Sequence, residues 1–533
     1  MARRTEMSAA QGGRRRSTRG VIAAIAIGLV IGAAGTGPLA TTGAGAAANN
    51  SGGVITMPYD LAAYGGIKFD PTTPSNPNDW YMQRWLYDSL LRQNADGSYA
   101  PGLAKSATSP DPQTIVIELK PGIKFSDGTP LDAEAVKFSI ERTLAANNVG
   151  SDRAELREIS AITVDSPTKL TISLKTPIAG QFYNLLAHGE TYVVSPTAVK
   201  SGTPLDQKPV GAGPFLLDSF TPENKAVFKR NPNYFEKNKI KLSGIELIQA
   251  SAQDPQAPIN AMLDNITNVA QLNGVAGTEA LTGAGITVDL KASDTTAIYG
   301  ALCKSKPPFD NVKVPQALNY AVDRDQINQL VYQGKSQPMW AHWTKQNALF
   351  NPKLDNYYKR NVKKAKKLLK EAGAEGLTFD MYSNLTADTT RVAEVIKEQL
   401  AEAGITVKIK LVDSATLISD GNGKSFEMIS YQWSGRPDPD GNTYQFFHTT
   451  PGTSLNWSGI SNPQMDALLD KSREISSQAE RTKLFGQLTR LLQDELPMVF
   501  IVHPIEPKAF SPRVQNYDPI PDGMMRFKDV WLK

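Results

Sequence analysis

From residue 54 to residue 295, short apolar–polar runs alternate with turn residues. The second half of the chain instead spaces its apolar positions in the three- and four-residue steps of helices. Ile115-Val116-Ile117-Glu118-Leu119-Lys120 reads as a strand closed by the Pro121-Gly122 turn, and Leu170–Leu174 alternates with period two, as a half-buried strand does. Pro130 to Leu144 predicts a helix capped by Asp132, with Ala135, Val136, Phe138, Ile140 and Leu144 on its packed side. Further on, Pro315 opens a helix whose stripe is Ala317, Leu318, Ala321 and Val322, and Gly334 ends it. Asn361 to Gly373 predicts another, with Val362, Ala365, Leu368, Leu369 and Ala372 facing in. Lys363, Lys364, Lys366, Lys367 and Lys370 face out as a solvated face. Glu480 to Leu496 predicts a third, stopped by Pro497. The strands Ile405–Ile409 and Phe426–Ser430 lie between helices. This mixed order predicts an α/β fold, sheets flanked by helices.

Composition narrows the class. The 533 residues are 41% apolar and 21% charged, an ordinary globular mixture. The length suits about three domain-sized units or one large lobed body. The formal charge is +4, yet residues 1–20 hold six arginines and one glutamate, and residues 21–48 hold no charge, so the remainder is −1. A basic body for nucleic acid is excluded. Cys303 is the single cysteine, which excludes an intramolecular disulfide and a cysteine zinc site, and its place at the end of an apolar run predicts a small buried hydrophobe.

The first 48 residues read as an address. Arg14, Arg15, Arg16 and Arg19 precede the uncharged run Val21 to Ala40, and small residues follow through Ala48. That order predicts a secretory signal peptide cleaved near Ala48 and an extracytoplasmic mature chain; an uncleaved anchor is the alternative. Arg15-Arg16 leaves the choice between general and twin-arginine export open. No cysteine stands near the cleavage zone to carry a lipid.

Catalytic motifs are missing. The chain has no G-x-S-x-G elbow, no phosphate-binding G-x-x-x-x-G-K-[ST] loop, no H-E-x-x-H and no dinucleotide fingerprint after a strand. His188, His342, His448 and His503 show no metal-ligand spacing, and no cofactor is expected. Asp438-Pro439-Asp440-Gly441-Asn442 imitates the start of a calcium loop, but its glycine is at the fourth position and Thr449 stands at the twelfth. A large chain without catalytic apparatus suggests a receptor rather than an enzyme. The best candidate site is the run Tyr431, Trp433, Ser434, Gly435, Arg436 and Asp438. It supplies aromatic walls, an open backbone and charges after a strand. Trp340 and Trp457 are further candidates, with core packing as the alternative for each.

Several segments together resemble the extracytoplasmic solute-binding proteins of peptide-type ABC importers, family 5. They are Leu86-Tyr87-Asp88-Ser89-Leu90-Leu91, Tyr99-Ala100-Pro101-Gly102-Leu103-Ala104, the long stretch from Leu119 to Val136, and Pro209-Val210-Gly211-Ala212-Gly213-Pro214-Phe215. Val314 to Arg324, Asn456-Trp457 and Asn462-Pro463-Gln464-Met465-Asp466 complete the set, and the resemblance spans nearly all of residues 54–533. It implies a two-lobed periplasmic-binding-protein clamshell of type II with an extra subdomain and an interlobe ligand cleft. The first lobe would combine 49–79, 190–295 and the C-terminal return 505–533, with 80–189 as the extra subdomain, and 296–504 would form the second lobe. The implied partners are a small-molecule or peptide ligand and membrane permease subunits, with the receptor a monomer. In peptide binders of this family an aspartate soon after the tryptophan holds the ligand amine; here that position is Arg436, which suits a carboxylate instead. Asp438 would take the amine role if the loop shifts. The nickel-binding branch has a histidine where Asp440 stands, which counts against metal uptake. A non-peptide anionic or sugar-like solute, and a sensor without transport, stay open beside peptide import, and a secreted hydrolase is the least favoured reading.

Overall fold

The computed structural model describes residues 52–62, 66–73, 77–94, 98–146, 151–251, 254–291, 297–345, 347, 349–433, 435, 438–450, 455–517 and 524–533. The chain divides into Met1–Asn49 and a compact unit Asn50–Lys533. The expected signal peptide lies outside the described residues.

Two sheets dominate the first half. One orders its strands Val54–Tyr59, Gly244–Gln249, Lys225–Arg230 and Phe215–Thr221, the first pair parallel. Its core joins Ile55, Met57, Trp85 and Phe228 to Phe510, Met525, Phe527 and Val530 from the far end of the chain. The other is antiparallel: Ala104–Asp111, Thr114–Leu119, Lys169–Leu174, Ile159–Ser166. The helix Ala133–Ala145 packs Val136 and Ile140 into the same core as Ile115, Ile117 and Leu170. The expected cap holds: the Asp132 carboxylate accepts from the Ala135 N–H at 2.9 Å, satisfying a donor the first turn leaves unpaired.

The second half is built on a six-stranded mixed sheet, ordered Gln337–Pro338, Met498–His503, Ala297–Leu302, Met428–Trp433, Thr378–Asn384, Thr406–Val412. Every residue of Ala297–Leu302 and Met498–His503 is buried, so both faces of the sheet are covered. Ile298, Leu302 and Met428 share one core with Leu318, Ile396 and Leu369, whereas Ala297, Tyr299, Trp433 and Phe500 share another with Met465, Leu469, Phe485 and Leu488. A small third sheet places Lys508–Phe510 between Val269–Gln271 and Thr287–Asp289. The run 498–510 therefore stitches the sheet of the second half to strands of the first. Cys303 is fully buried, as its apolar neighbours imply.

Two elements differ from the pattern-based expectation. The helix read from Pro315 to Gly334 is two helices, Lys313–Ala321 and Arg324–Tyr332. The break is polar chemistry that apolar spacing does not reveal: Asp323 accepts from the Gln326 N–H at 2.9 Å and starts a new helix. Arg324 turns inward and is 2% exposed. Its Nε donates to the carbonyls of Met339 and Phe500, and its terminal nitrogens donate to the carbonyls of Asn319 and Val322 and to Asn319 Oδ1. Carbonyl dipoles replace the water that this buried cation has lost. The strand expected at Phe426–Ser430 runs instead from Met428 to Trp433, because its ladder pairs Met428 with Leu302 and Trp433 with Ala297. Tyr431 and Trp433 thus belong to the sheet and not to the loop after it.

Candidate functional site

Antiparallel pairing sets Tyr431 directly opposite Tyr299 and Trp433 opposite Ala297, so both aromatic side chains lie on one face of the sheet. Tyr431 is half-buried and meets Trp457 edge-to-face, with ring centroids 5.0 Å apart. Trp457 itself is 2% exposed and donates to Asn422 Oδ1 at 2.9 Å, so packing is its role. Trp433 is 7% exposed; its indole N–H donates to Asn442 Oδ1 at 2.9 Å and its ring meets Phe446 edge-to-face at 5.2 Å. These two tryptophans are core residues and offer little ring surface to a ligand. Gly435 follows, buried and left-handed at φ 64°. Ser434 and Arg436 lie outside the described residues.

The turn beyond is where buried charge concentrates. Asp438 accepts two bonds from Arg481, at 2.7 and 2.6 Å, and a third from the Tyr99 hydroxyl at 3.1 Å. Asp440 is gripped in the same bidentate way by Arg473, at 2.8 and 2.8 Å, and Arg473 also reaches Glu155 at 3.2 Å. The two arginines come from adjacent helices, Pro463–Glu474 and Gln478–Glu495. Burial works to raise the Asp438 carboxyl, but the Arg481 charge and its hydrogen bonds outweigh that and hold it below the ordinary value. Burial pushes the Glu155 carboxyl up in spite of Arg473, and burial together with the Asp438 charge pushes the Tyr99 hydroxyl up. Asp438 is expected to take the amine role only if the loop shifts; as the turn stands, both of its oxygens are taken by a guanidinium, and the carboxylate anchors the turn.

Trp340 is half-buried, its carbonyl accepts from Gln493 at 2.6 Å, and the Arg324 guanidinium lies 5.8 Å from its ring. Its indole nitrogen is buried without an acceptor among the described residues, and so are the Tyr299 hydroxyl and His342 Nδ1. The Tyr299 and His342 rings are 6.4 Å apart. Burial, helped by His503, pushes His342 down to about 3, so this imidazole is neutral at physiological pH. Tyr431 and Trp340 thus offer aromatic surface, while the Trp340 indole nitrogen, the Tyr299 hydroxyl and His342 Nδ1 meet no partner among the described residues. Sequence reasoning missed Tyr299, His342, Tyr99 and both arginines; the only signal was Tyr299 in a strand of apolar neighbours. Among the described residues no group of three histidine, cysteine or carboxylate side chains is placed to hold a metal ion.

Elements far apart in the chain meet at this turn. Tyr99 and Glu155 come from the first half, and Gly180 on the helix Ala179–Ala187 presses against the second. A Cβ on Gly180 would sit 2.2 Å from the Ile475 carbonyl oxygen. Gly180→Ala is expected to cost about 1–3 kcal/mol, read as a lower urea midpoint, because backbone and not a mobile side chain must move. An unchanged midpoint would show that the contact yields freely.

Residues 98–454, two thirds of the chain, match the family described as bacterial extracellular solute-binding proteins, family 5 Middle. The chain belongs to this family. The glutathione-binding protein GsiB of Shigella flexneri is 28% identical over 499 residues, which cover 89% of this chain and 95% of that protein. Among solved structures, the ABC transporter-associated periplasmic binding protein DppA from Helicobacter pylori, in complex with the peptide STSA, superposes with a TM-score of 0.76 at 22% identity, over 91% of this chain and 99% of its own. HbpA2 from Haemophilus parasuis gives 0.79 at 23%, over 90% and 100%. The two-lobed α/β clamshell of family 5 solute-binding proteins is therefore the fold of this chain. No helix among the described residues is long and apolar enough to cross a membrane.

Proposed function

We propose that this family 5 receptor is exported, is not an enzyme, captures a peptide between its lobes and delivers it to the permease subunits of an ABC importer. The lobes are 49–79 with 190–295 and 505–533, carrying the subdomain 80–189, and 296–504. The chain crosses between them near residues 503–508. What supports the reading most directly is the meeting at the Asp438–Asp440 turn: residues of both halves close on the segment that follows the half-buried Tyr431. A ligand touching both halves adds free energy only to the closed arrangement and shifts the population toward it. An extended peptide suits such a cleft because its backbone groups are recognised whatever its side chains. Tyr431 and Trp340, both half-buried, supply aromatic surface. Arg436 favours a ligand that presents a carboxylate.

Native mass spectrometry of the freshly purified protein, paired with small-angle scattering, tests this. A one-to-one adduct of peptide mass is expected, with a smaller radius of gyration when a peptide digest is added to the stripped protein. A bare protein whose scattering ignores the digest would refute the reading.

A further inference from the structure

The helix Val362–Glu371 carries Lys363, Lys364, Lys366, Lys367 and Lys370, all exposed. Two are engaged: Lys364 donates to the Tyr320 hydroxyl at 2.6 Å, and Lys367 stands 3.9 Å from Glu371. Lys363, Lys366 and Lys370 meet no carboxylate among the described residues. They follow steps of three and four residues, so they form one stripe along the helix. Like charges at that spacing repel and destabilise the helix, and no ion pair among the described residues relieves the load on these three. The surroundings add to it. Lys353 and Lys359 are also exposed, and residues 353–370 carry eight basic side chains against one acidic. That is +7 within 18 residues, while all other residues from 49 onward sum to −8. Tyr357, 51% exposed, lies between Lys353 and Lys359 in sequence; its ring meets Tyr358 edge-to-face, and Tyr358 meets Tyr320, the partner of Lys364.

We infer that this basic face docks the protein on the anionic headgroups of a lipid bilayer. Charge complementarity carries the inference. A plane of phosphates neutralises the stripe without requiring a matched pocket, the opposite charge elsewhere turns the molecule so that this face leads, and a tyrosine at the rim suits the headgroup layer.

Vesicle co-sedimentation tests it, on the same full chain in every variant so that the first 50 residues contribute equally. Wild type is expected to bind vesicles of mixed phosphatidylglycerol and phosphatidylcholine at low salt, to bind pure phosphatidylcholine far less, and to release as salt rises past about 0.3 M. Lys363→Glu/Lys366→Glu/Lys370→Glu is expected to lower the partition coefficient about a hundredfold. Its melting temperature should hold, because the substituted carboxylates at positions 363 and 370 each stand one turn from Lys367, and these attractions offset the repulsion within the stripe. Lys208→Glu/Lys237→Glu/Lys241→Glu changes net charge equally at exposed positions elsewhere and should keep most of the binding. Equal losses in the two triple variants, or wild-type binding that ignores lipid charge, would overturn the inference. Binding to an acidic protein segment but to no vesicle would overturn it as well.

Discussion

Replacing Arg481 by alanine is expected to lower the free energy of unfolding by about 3–5 kcal/mol. Arg481 is 3% exposed and Asp438 2%, so the substitution strands a carboxylate that has no water to turn to. Its remaining partners, the Tyr99 hydroxyl and the Asp440 N–H, are neutral. Replacing both members of the pair, Arg481→Met with Asp438→Leu, should recover most of the loss, because the penalty comes from the unpaired charge and not from the missing bridge. Urea unfolding of the two variants checks this, and a single-variant loss below about 1 kcal/mol would refute the account. The pH dependence has a definite sign. The folded Asp438 carboxyl titrates below its ordinary 3.8, so its contribution is full above that value and is lost as pH falls through the folded value. Acid should therefore weaken wild type more than the double variant, and only below about pH 4.

Trp433→Ala should cost a comparable amount, about 3–5 kcal/mol, as large-to-small changes in packed cores do. The indole packs on Phe446 and shares a core with Tyr299, Leu488 and Phe500. Trp433→Phe keeps most of that volume but loses the bond to Asn442, and should cost about 1–2 kcal/mol. The informative comparison is with Tyr431→Ala. Tyr431 is half-buried, so its loss should reduce peptide binding more than it reduces stability. Calorimetric binding and thermal melts on the same three variants separate these outcomes. A Trp433→Ala protein that melts like wild type would return Trp433 to the ligand surface.

What the sequence disclosed depended on how local the physics was. The Asp132 cap and the Lys-faced helix that follows Asn361 involve residues three or four apart, and both are present. The break at Asp323 escaped apolar spacing because an N-cap and a buried cation decide it, and neither changes the hydrophobic stripe. At the candidate site the aromatic run is visible in sequence, but its partition is not. Which of Tyr431, Trp433 and Trp457 stays accessible is set by cross-strand register and by what packs on that face. The partners of Asp438 and Asp440 are invisible for the same reason: Arg481 lies 43 positions away, Arg473 lies 33, and Tyr99 lies 339. A short Arg-Pro-Asp-Pro string suggests a local charge pair, whereas the fold supplies guanidinium groups from two distant helices.

Phe510, Met525, Phe527 and Val530 complete a core whose other walls are residues 55–87 and 192–269. These four leave the ribosome after every other wall of that core. Until they emerge, this core has an open apolar flank, and until 508–510 emerges the strands Val269–Gln271 and Thr287–Asp289 lack the strand that lies between them, so contacts of very long sequence separation form late. That core therefore closes late, whereas the cores formed within residues 90–212 and 297–502 contain no residue beyond Val502 and can assemble before it.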